Sequence, residues 1–446
     1  MKDLRILALP FIAIALVVLA MSAPTGSEPD RVPSRVTVSE SSYACPASSV
    51  ITVASGQVRA GSGSTATVLP GRDRDADLED ASAWRTSVVD GSGVVVQQPG
   101  RGSGAVGFFA GTAPKDGGGG LVVGSCPGVV DDAWLMGLGS GGKHFSTLIL
   151  TNLGDSPAAV DLSLWGPEGE IEAVGAEGIV VQPSSVRRIR LDELAAGEPE
   201  LAMHVHRRRG LLSAAVDDSS TSASRGTEPV SATLAPRRTQ VIGGVAEGAA
   251  GRTLLLLNPG DESARVDAEV IGPKSTFTPS GLEDIKVPAG STLAITVPKS
   301  AGSGSQAMRL TSDQPVAATV KMAPSDKDYA YAEAVPALDG PAIVPVDIGP
   351  EVDAPRLVLT APGEAASAEV QAYDADMRPL MSSTAKIKAG TTTWLEVDAK
   401  DAAYFIVRPR GRVVAGATYA QGDALSSLAL TAAPVTVLGP QVRPVS

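Results

Sequence analysis

A chain of 446 residues is too long for a single hydrophobic core and suits three or four domains. Its formal charge of −12 repels phosphate backbones, and the only basic clusters are Arg207-Arg-Arg209 and Arg237-Arg238, so nucleic acid is excluded as a partner. The hydrophobic share is 43%, with only 4% aromatic, so Val, Ala and Leu must fill the core; 48 glycines and 33 prolines spread along the chain suit short strands joined by many turns.

The N-terminus reads as an export signal. Lys2 and Arg5 precede an apolar run from Ile6 to Met21, interrupted by Pro10 and followed by Ser22 and Ala23. Sixteen residues fall short of the roughly 20 that a membrane helix needs. Residues 1–23 are therefore expected to be a signal peptide or a signal-anchor, with membrane attachment possible only through residues 6–21. Either outcome places the remainder outside the cytoplasm, secreted or anchored to the cytoplasmic membrane. Residues 24–34 are polar and proline-rich, a linker.

Residues 35–130 hold the two cysteines, Cys45 and Cys126, each followed by proline. An even, minimal pair in an exported chain predicts one disulfide, and the wide spacing without Cys-x-x-Cys argues against a redox or metal pair. Short apolar runs at Val50-Ile-Thr-Val53, Val94-Val-Val96, Val106-Gly-Phe-Phe109 and Leu121-Val-Val123 read as strands of a disulfide-closed β-domain. The acidic stretch Asp73 to Asp80 lacks the spacing of a calcium loop and reads as solvated.

From residue 131 the chain repeats itself. Leu148-Ile-Leu-Thr-Asn152-Leu-Gly154, Leu254-Leu-Leu-Leu-Asn258-Pro-Gly260 and Leu357-Val-Leu-Thr-Ala361-Pro-Gly363 each precede an alternating strand: Val160, Leu162, Leu164; Val266, Ala268, Val270; Ala368, Val370, Ala372. Period two puts one face in a core and the other in water. Glycine closes each first turn, where a positive φ is expected, and asparagine is expected to bond the local backbone. A period near one hundred residues is that of a whole β-domain. The units are 131–235, 236–340 and 341–446, each of about seven strands. The fold class is all-β: tandem immunoglobulin-like β-sandwich domains behind the disulfide-closed domain, strung as a rod, with a β-propeller as the alternative.

Catalytic constellations are missing from the sequence. The histidines are His144, His204 and His206. His204 and His206 share one strand face, but no third ligand is near in sequence and Arg207 to Arg209 oppose a cation, so the pair reads as a solvated outer face. No Gly-x-Ser-x-Gly elbow with partners is present, and Gly139-Ser-Gly-Gly142 does not lie between a strand and a helix, as a phosphate loop does. Among the tryptophans, Trp165 stands where the sister units carry Ile271 and Tyr373, a packing position; Trp84 and Trp134 are the candidates for a sugar-stacking surface. No catalytic residue, cofactor site or metal site is assigned, and the chain is expected not to be an enzyme.

Tyr43-Ala-Cys45-Pro46, Cys126-Pro127, the strand Ala133-Trp134-Leu-Met-Gly137 and the Leu-x-Leu-x-Asn-x-Gly turn resemble a family of exported actinobacterial proteins of unknown function, over most of the chain past residue 35. The match departs from the pattern at Ala361 and at Asp374-Ala375, in the last unit. The resemblance implies an envelope-facing, non-catalytic module associated with cell-surface glycan assembly, and it supplies no functional residues. The expected function is that of an extracytoplasmic structural or adaptor protein of the cell envelope; the alternative is an envelope glycan-binding protein. The expected partner is an envelope protein or glycan.

Overall fold

A computed structural model describes residues 35–54, 63–69, 76–77, 83–99, 104–113, 119–221, 225–246, 251–324, 327–349, 352–397, 401–434 and 436–438. The export signal, the linker and most of the acidic stretch at 73–80 lie outside them. The chain divides into a small terminal unit and a large one spanning Val38–Val435. In the small unit, β1 (Arg35–Thr37) pairs antiparallel with a strand near the C-terminus, Thr436–Leu438. These terminal residues thus belong to neither the disulfide-closed sheet nor the third sandwich.

The large unit opens with a six-stranded antiparallel sheet: β2 (Glu40–Ala54), β3 (Thr65–Leu69), β4 (Ala76–Asp77), β5 (Ala83–Pro99), β6 (Val106–Thr112) and β7 (Leu121–Ser125), in the order β4-β3-β5-β2-β6-β7. Cys45 and Cys126 are joined, as expected from an even, minimal pair. The bond ties β2 to the exit of β7 beside Gly107, where a Cβ would lie 2.4 Å from the Tyr43 ring and 2.9 Å from Cys126 Sγ. Closing 81 residues of chain removes about 4–5 kcal/mol of denatured-state freedom in the loop-entropy picture. Reducing the bond is expected to lower the denaturation midpoint of the whole protein accordingly; identical midpoints with and without reductant would show that the bond is dispensable.

The first sandwich comprises β8 (Asp132–Leu138), β9 (Ser140–Gly141), β10 (His144–Asn152), β11 (Ala158–Gly166), β12 (Gly169–Ile171), β13 (Ile179–Val181), β14 (Val186–Arg190), β15 (Leu201–Arg209), β16 (Leu212–Ser220) and β17 (Gly226–Val230). One sheet runs β12-β11-β15-β8 and the other β14-β10-β16-β17. The second uses β18 (Arg237–Val245), β19 (Gly251–Asn258), β20 (Ala264–Ile271), β21 (Thr276–Phe277), β22 (Ile285–Val287), β23 (Ser291–Thr296), β24 (Gln306–Ala323) and β25 (Ala330–Glu333). The third uses β26 (Ala342–Pro345), β27 (Arg356–Ala361), β28 (Ala366–Tyr373), β29 (Pro379–Ile387), β30 (Thr391–Glu396), β31 (Tyr404–Arg410), β32 (Val414–Gln421) and β33 (Ala424–Ala429), in sheets β26-β31-β28-β29 and β30-β27-β32-β33. The strand near the C-terminus is therefore β34 (Thr436–Leu438).

The pairing pattern recurs in all three. In the second sandwich one long strand, β24, replaces the two strands that Gly210 and Gly411 separate in the others: its first half pairs with β18 and β20, its second with β19 and β25. The paired sheets share cores, as sandwiches do and propeller blades do not. Val160, Leu162 and Leu164 are buried while Asp161 and Ser163 are partly exposed, the period-two pattern read from sequence.

The turns differ from expectation in one respect. Gly154, Gly260 and Gly363 do not have positive φ. The left-handed residue sits instead in a later turn that bonds back to the first, at Ser184 (φ 47°), Gly290 (61°) and Gly390 (63°). Asparagine organises the first turn: the Asn152 carbonyl oxygen accepts from Gly154 N–H at 2.9 Å while its amide donates to Ser156 and Val181 carbonyls, and Asn258 repeats the arrangement. In the third unit Ala361 substitutes a backbone bond, its carbonyl accepting from Gly390 N–H at 3.0 Å.

The units do not string out as a rod; they gather. Gly137 of the first sandwich has φ 80° and lies so close to the second that a Cβ there would sit 2.5 Å from the Tyr331 ring. Gly244 of the second meets Gly416 of the third equally closely, a Cβ on Gly416 falling 2.6 Å from Gly244 Cα. The disulfide-closed sheet then bridges the first and third: Phe108, Ala110, Leu121 and Val123 enter the third sandwich's core, and Ala44, Leu69 and Val95 pack on Leu153 of the first. Each sheet buries an apolar face against its neighbour, which tandem beads on a string would leave wet.

Candidate functional site

The last strands of the three sandwiches, β17, β25 and β33, converge with β7. Glu228, Glu333 and Ser426 stand at corresponding positions, each eight residues before Pro236, Pro341 and Pro434. All three are buried, with Asp328 fully so beside them. Asp328 accepts backbone N–H bonds from Leu121 (3.0 Å), Leu425 (2.9 Å) and Tyr329 (2.9 Å), so one carboxylate joins the disulfide-closed sheet, the third sandwich and the second. Gly120 and Gly226 leave it room; a Cβ at either would fall 2.5 Å from its oxygen. Glu228 accepts from the Ser426 hydroxyl at 2.9 Å and from Ser427 N–H. Burial pushes Asp328 up to about 7, against the pull of its three N–H donors, and Glu333 up to about 8. Burial, with the neighbouring Asp328 charge, raises Glu228 as well.

A second buried cluster fastens the first two sandwiches. Asp218, wholly buried on β16, accepts bonds from His144 Nε2 (3.0 Å), Ser146 Oγ (2.6 Å), Tyr329 (2.8 Å) and Tyr331 (3.0 Å). His144 Nδ1 faces only the Pro199 carbonyl, at 3.0 Å. Both ring nitrogens therefore meet acceptors, which makes His144 an imidazolium paired with the Asp218 carboxylate. Burial alone would lower His144 and raise Asp218; their mutual bond and charge reverse both shifts. Ser146 and His144 each bond Asp218 rather than one another, so the order needed to activate a hydroxyl is absent from this trio. The reason for Gly139 is also plain: a Cβ would lie 2.5 Å from the His144 ring.

Beside the junction opens a cleft of about 460 Å³. Phe109 of the disulfide-closed domain, Asp132 and Val230 of the first sandwich, Val335 after β25, and Ala429 and Thr431 of the third unit line it. At its rim the outer face of the first sandwich carries the two histidines read as solvated. The register of β15 against β8 sets His206 opposite Asp132 and His204 opposite Trp134. Asp132 Oδ1 lies 2.9 Å from both His204 Nε2 and His206 Nδ1. The bond from His206 lowers the Asp132 carboxyl, and burial lowers His204. Trp134 stacks on His204 with centroids 4.1 Å apart and on Trp165 at 5.6 Å. Trp165 is buried, as its packing position predicted; Trp84 is half-buried against the disulfide-closed core.

Sequence reasoning missed Asp132 because it lies 72 residues before His204 and meets it only through strand pairing. Two of the three arginines expected to oppose a cation are paired with acceptors: Arg207 bonds Asp131 and the Val130 and Gly210 carbonyls, and Arg208 bonds Asp161.

These features define an all-β protein in which a disulfide-closed sheet and three sandwiches meet at one buried polar junction. The chain belongs to a family of unknown function (DUF5719), whose model matches residues 82–398. No curated protein matches the chain.

Proposed function

We propose that this is a non-catalytic, extracytoplasmic adaptor protein of the cell envelope that receives its partner in the junction cleft. The observation that carries this reading is the cleft itself: its walls come from the disulfide-closed domain and from all three repeat units, and the buried carboxylates beside it hold those units in fixed relation. The disulfide is consistent with an oxidising compartment. Among the described residues no helix is long and apolar enough to cross a membrane. The proposed attachment is the apolar run of residues 6–21, which lies outside them. Envelope glycan is the second reading, favoured by the partly exposed Trp134 next to Asp132 at the rim.

A photo-crosslinker placed at Val129, an exposed cleft residue, discriminates these in the native envelope. A discrete protein adduct supports the adaptor reading, and a polysaccharide adduct supports the glycan reading. An adduct pattern the same as from the exposed Val174, outside the cleft, would remove both.

A further inference from the structure

We propose that Asp132, His204 and His206 form a site for a divalent transition-metal ion of the zinc class at the rim of the cleft. The three donors come from two paired strands, so backbone pairing rather than loop conformation sets their positions. Each residue offers one ligand atom, and the three atoms lie within 4.8 Å of one another. Two imidazole nitrogens with one carboxylate oxygen suit zinc, nickel, copper or iron; calcium and magnesium prefer all-oxygen sets.

The spacing is close to what the ion needs. Metal–nitrogen and metal–oxygen bonds of about 2.0–2.2 Å in a tetrahedral set place neighbouring donors about 3.4 Å apart. Asp132 Oδ1 lies 2.9 Å from each histidine nitrogen, so the exposed Asp132 and His206 side chains open by about half an ångström to admit the ion. To bind the ion through these nitrogens, each neutral imidazole moves the proton it now donates to Asp132 onto its other ring nitrogen, and the freed lone pairs and the carboxylate oxygen face the cation. The parallel Trp134 ring, tilted 15° from His204, fixes that imidazole's plane before any ion arrives. The Asp132 and His206 side chains are 51% and 54% exposed, so water has access to the coordination positions that three protein ligands leave open. Asp132 also lines the cleft, so an ion held there stands at its edge. The site stands whether or not the cleft takes an envelope partner, and its test does not use that partner.

Zinc titration of the untagged full chain by calorimetry is expected to give one ion per chain, and cobalt is expected to give visible absorption of a nitrogen–oxygen site at the same stoichiometry. His206→Gln and Asp132→Asn, at exposed positions, are expected to keep the far-ultraviolet circular dichroism of the parent. Each should lose more affinity than the roughly 10–100-fold that removing an outer-shell partner costs. His204→Gln should behave likewise, and if it loosens the Trp134 stack the other two variants still decide the matter. Absence of zinc binding, or binding retained by a D132N/H206Q double variant, would overturn the site and leave a hydrogen-bonded surface trio.

Discussion

Replacing Asp218 with alanine is expected to lower the unfolding free energy by about 4 kcal/mol or more. Each buried donor left without an acceptor costs roughly 1–3 kcal/mol, and breaking a buried charge pair from one side costs about 3–5 kcal/mol. Asp218 serves four donors, His144, Ser146, Tyr329 and Tyr331, and the loss strands an imidazolium. Two of those donors belong to the second sandwich, so the damage falls on the contact between repeats, where the single Tyr331 hydroxyl proton is shared between Asp218 and the Gly137 carbonyl, 2.7 Å away. Equilibrium denaturation should therefore show an earlier transition in which the first sandwich uncouples. Asp218→Asn keeps an acceptor and should lose less. Asp161→Ala removes an exposed pair with Arg208 and should cost under about 1 kcal/mol. A loss at Asp218 no greater than at Asp161 would contradict the fastening role.

Stability is expected to fall as pH rises from about 5 to 8.5, by about 3 kcal/mol or more. An acid whose folded value is raised binds more protons folded than unfolded, so stability declines between its unfolded and folded values. Asp328, near 7, and Glu333, near 8, are both buried and span this window; Glu228 adds in the same direction. Moving a carboxyl's titration by one pH unit is worth about 1.4 kcal/mol, and the shifted values already include the pull of the N–H donors that favour the ionised forms. Glu200, raised by burial to about 7, is only partly covered and adds less. His144 acts in the same sense: its raised value gives stability that is present below its unfolded value and lost as pH climbs through the folded one. Asp218 acts oppositely, its contribution disappearing as pH falls through its lowered value, which sets the acid limit. Thermal denaturation across this range checks the sign. A melting temperature that rises from pH 5 to 8.5 would refute it, and Glu333→Gln should flatten the slope.

Local architecture was legible in the chain alone. Alternation at Val160, Leu162 and Leu164 and at its two sister strands, the asparagine turns, and the lone cysteine pair each depend on residues near in sequence or unique in number. The positive φ expected at Gly154, Gly260 and Gly363 lies instead at Ser184, Gly290 and Gly390, in a later turn that bonds back to the first, because the Asn152 and Asn258 side chains shape the first turn in their units. The period of about one hundred residues marked three units, yet it was silent on how they meet. That was settled in three dimensions. Asp328 finds donors 207 residues before it and 97 after it, Asp218 bonds tyrosines more than 100 residues away, and Asp132 joins His204 and His206 across a strand pair. None of these partners shares a periodic pattern, since a buried carboxylate needs donors close in space to offset its desolvation and is indifferent to where in the chain they arise.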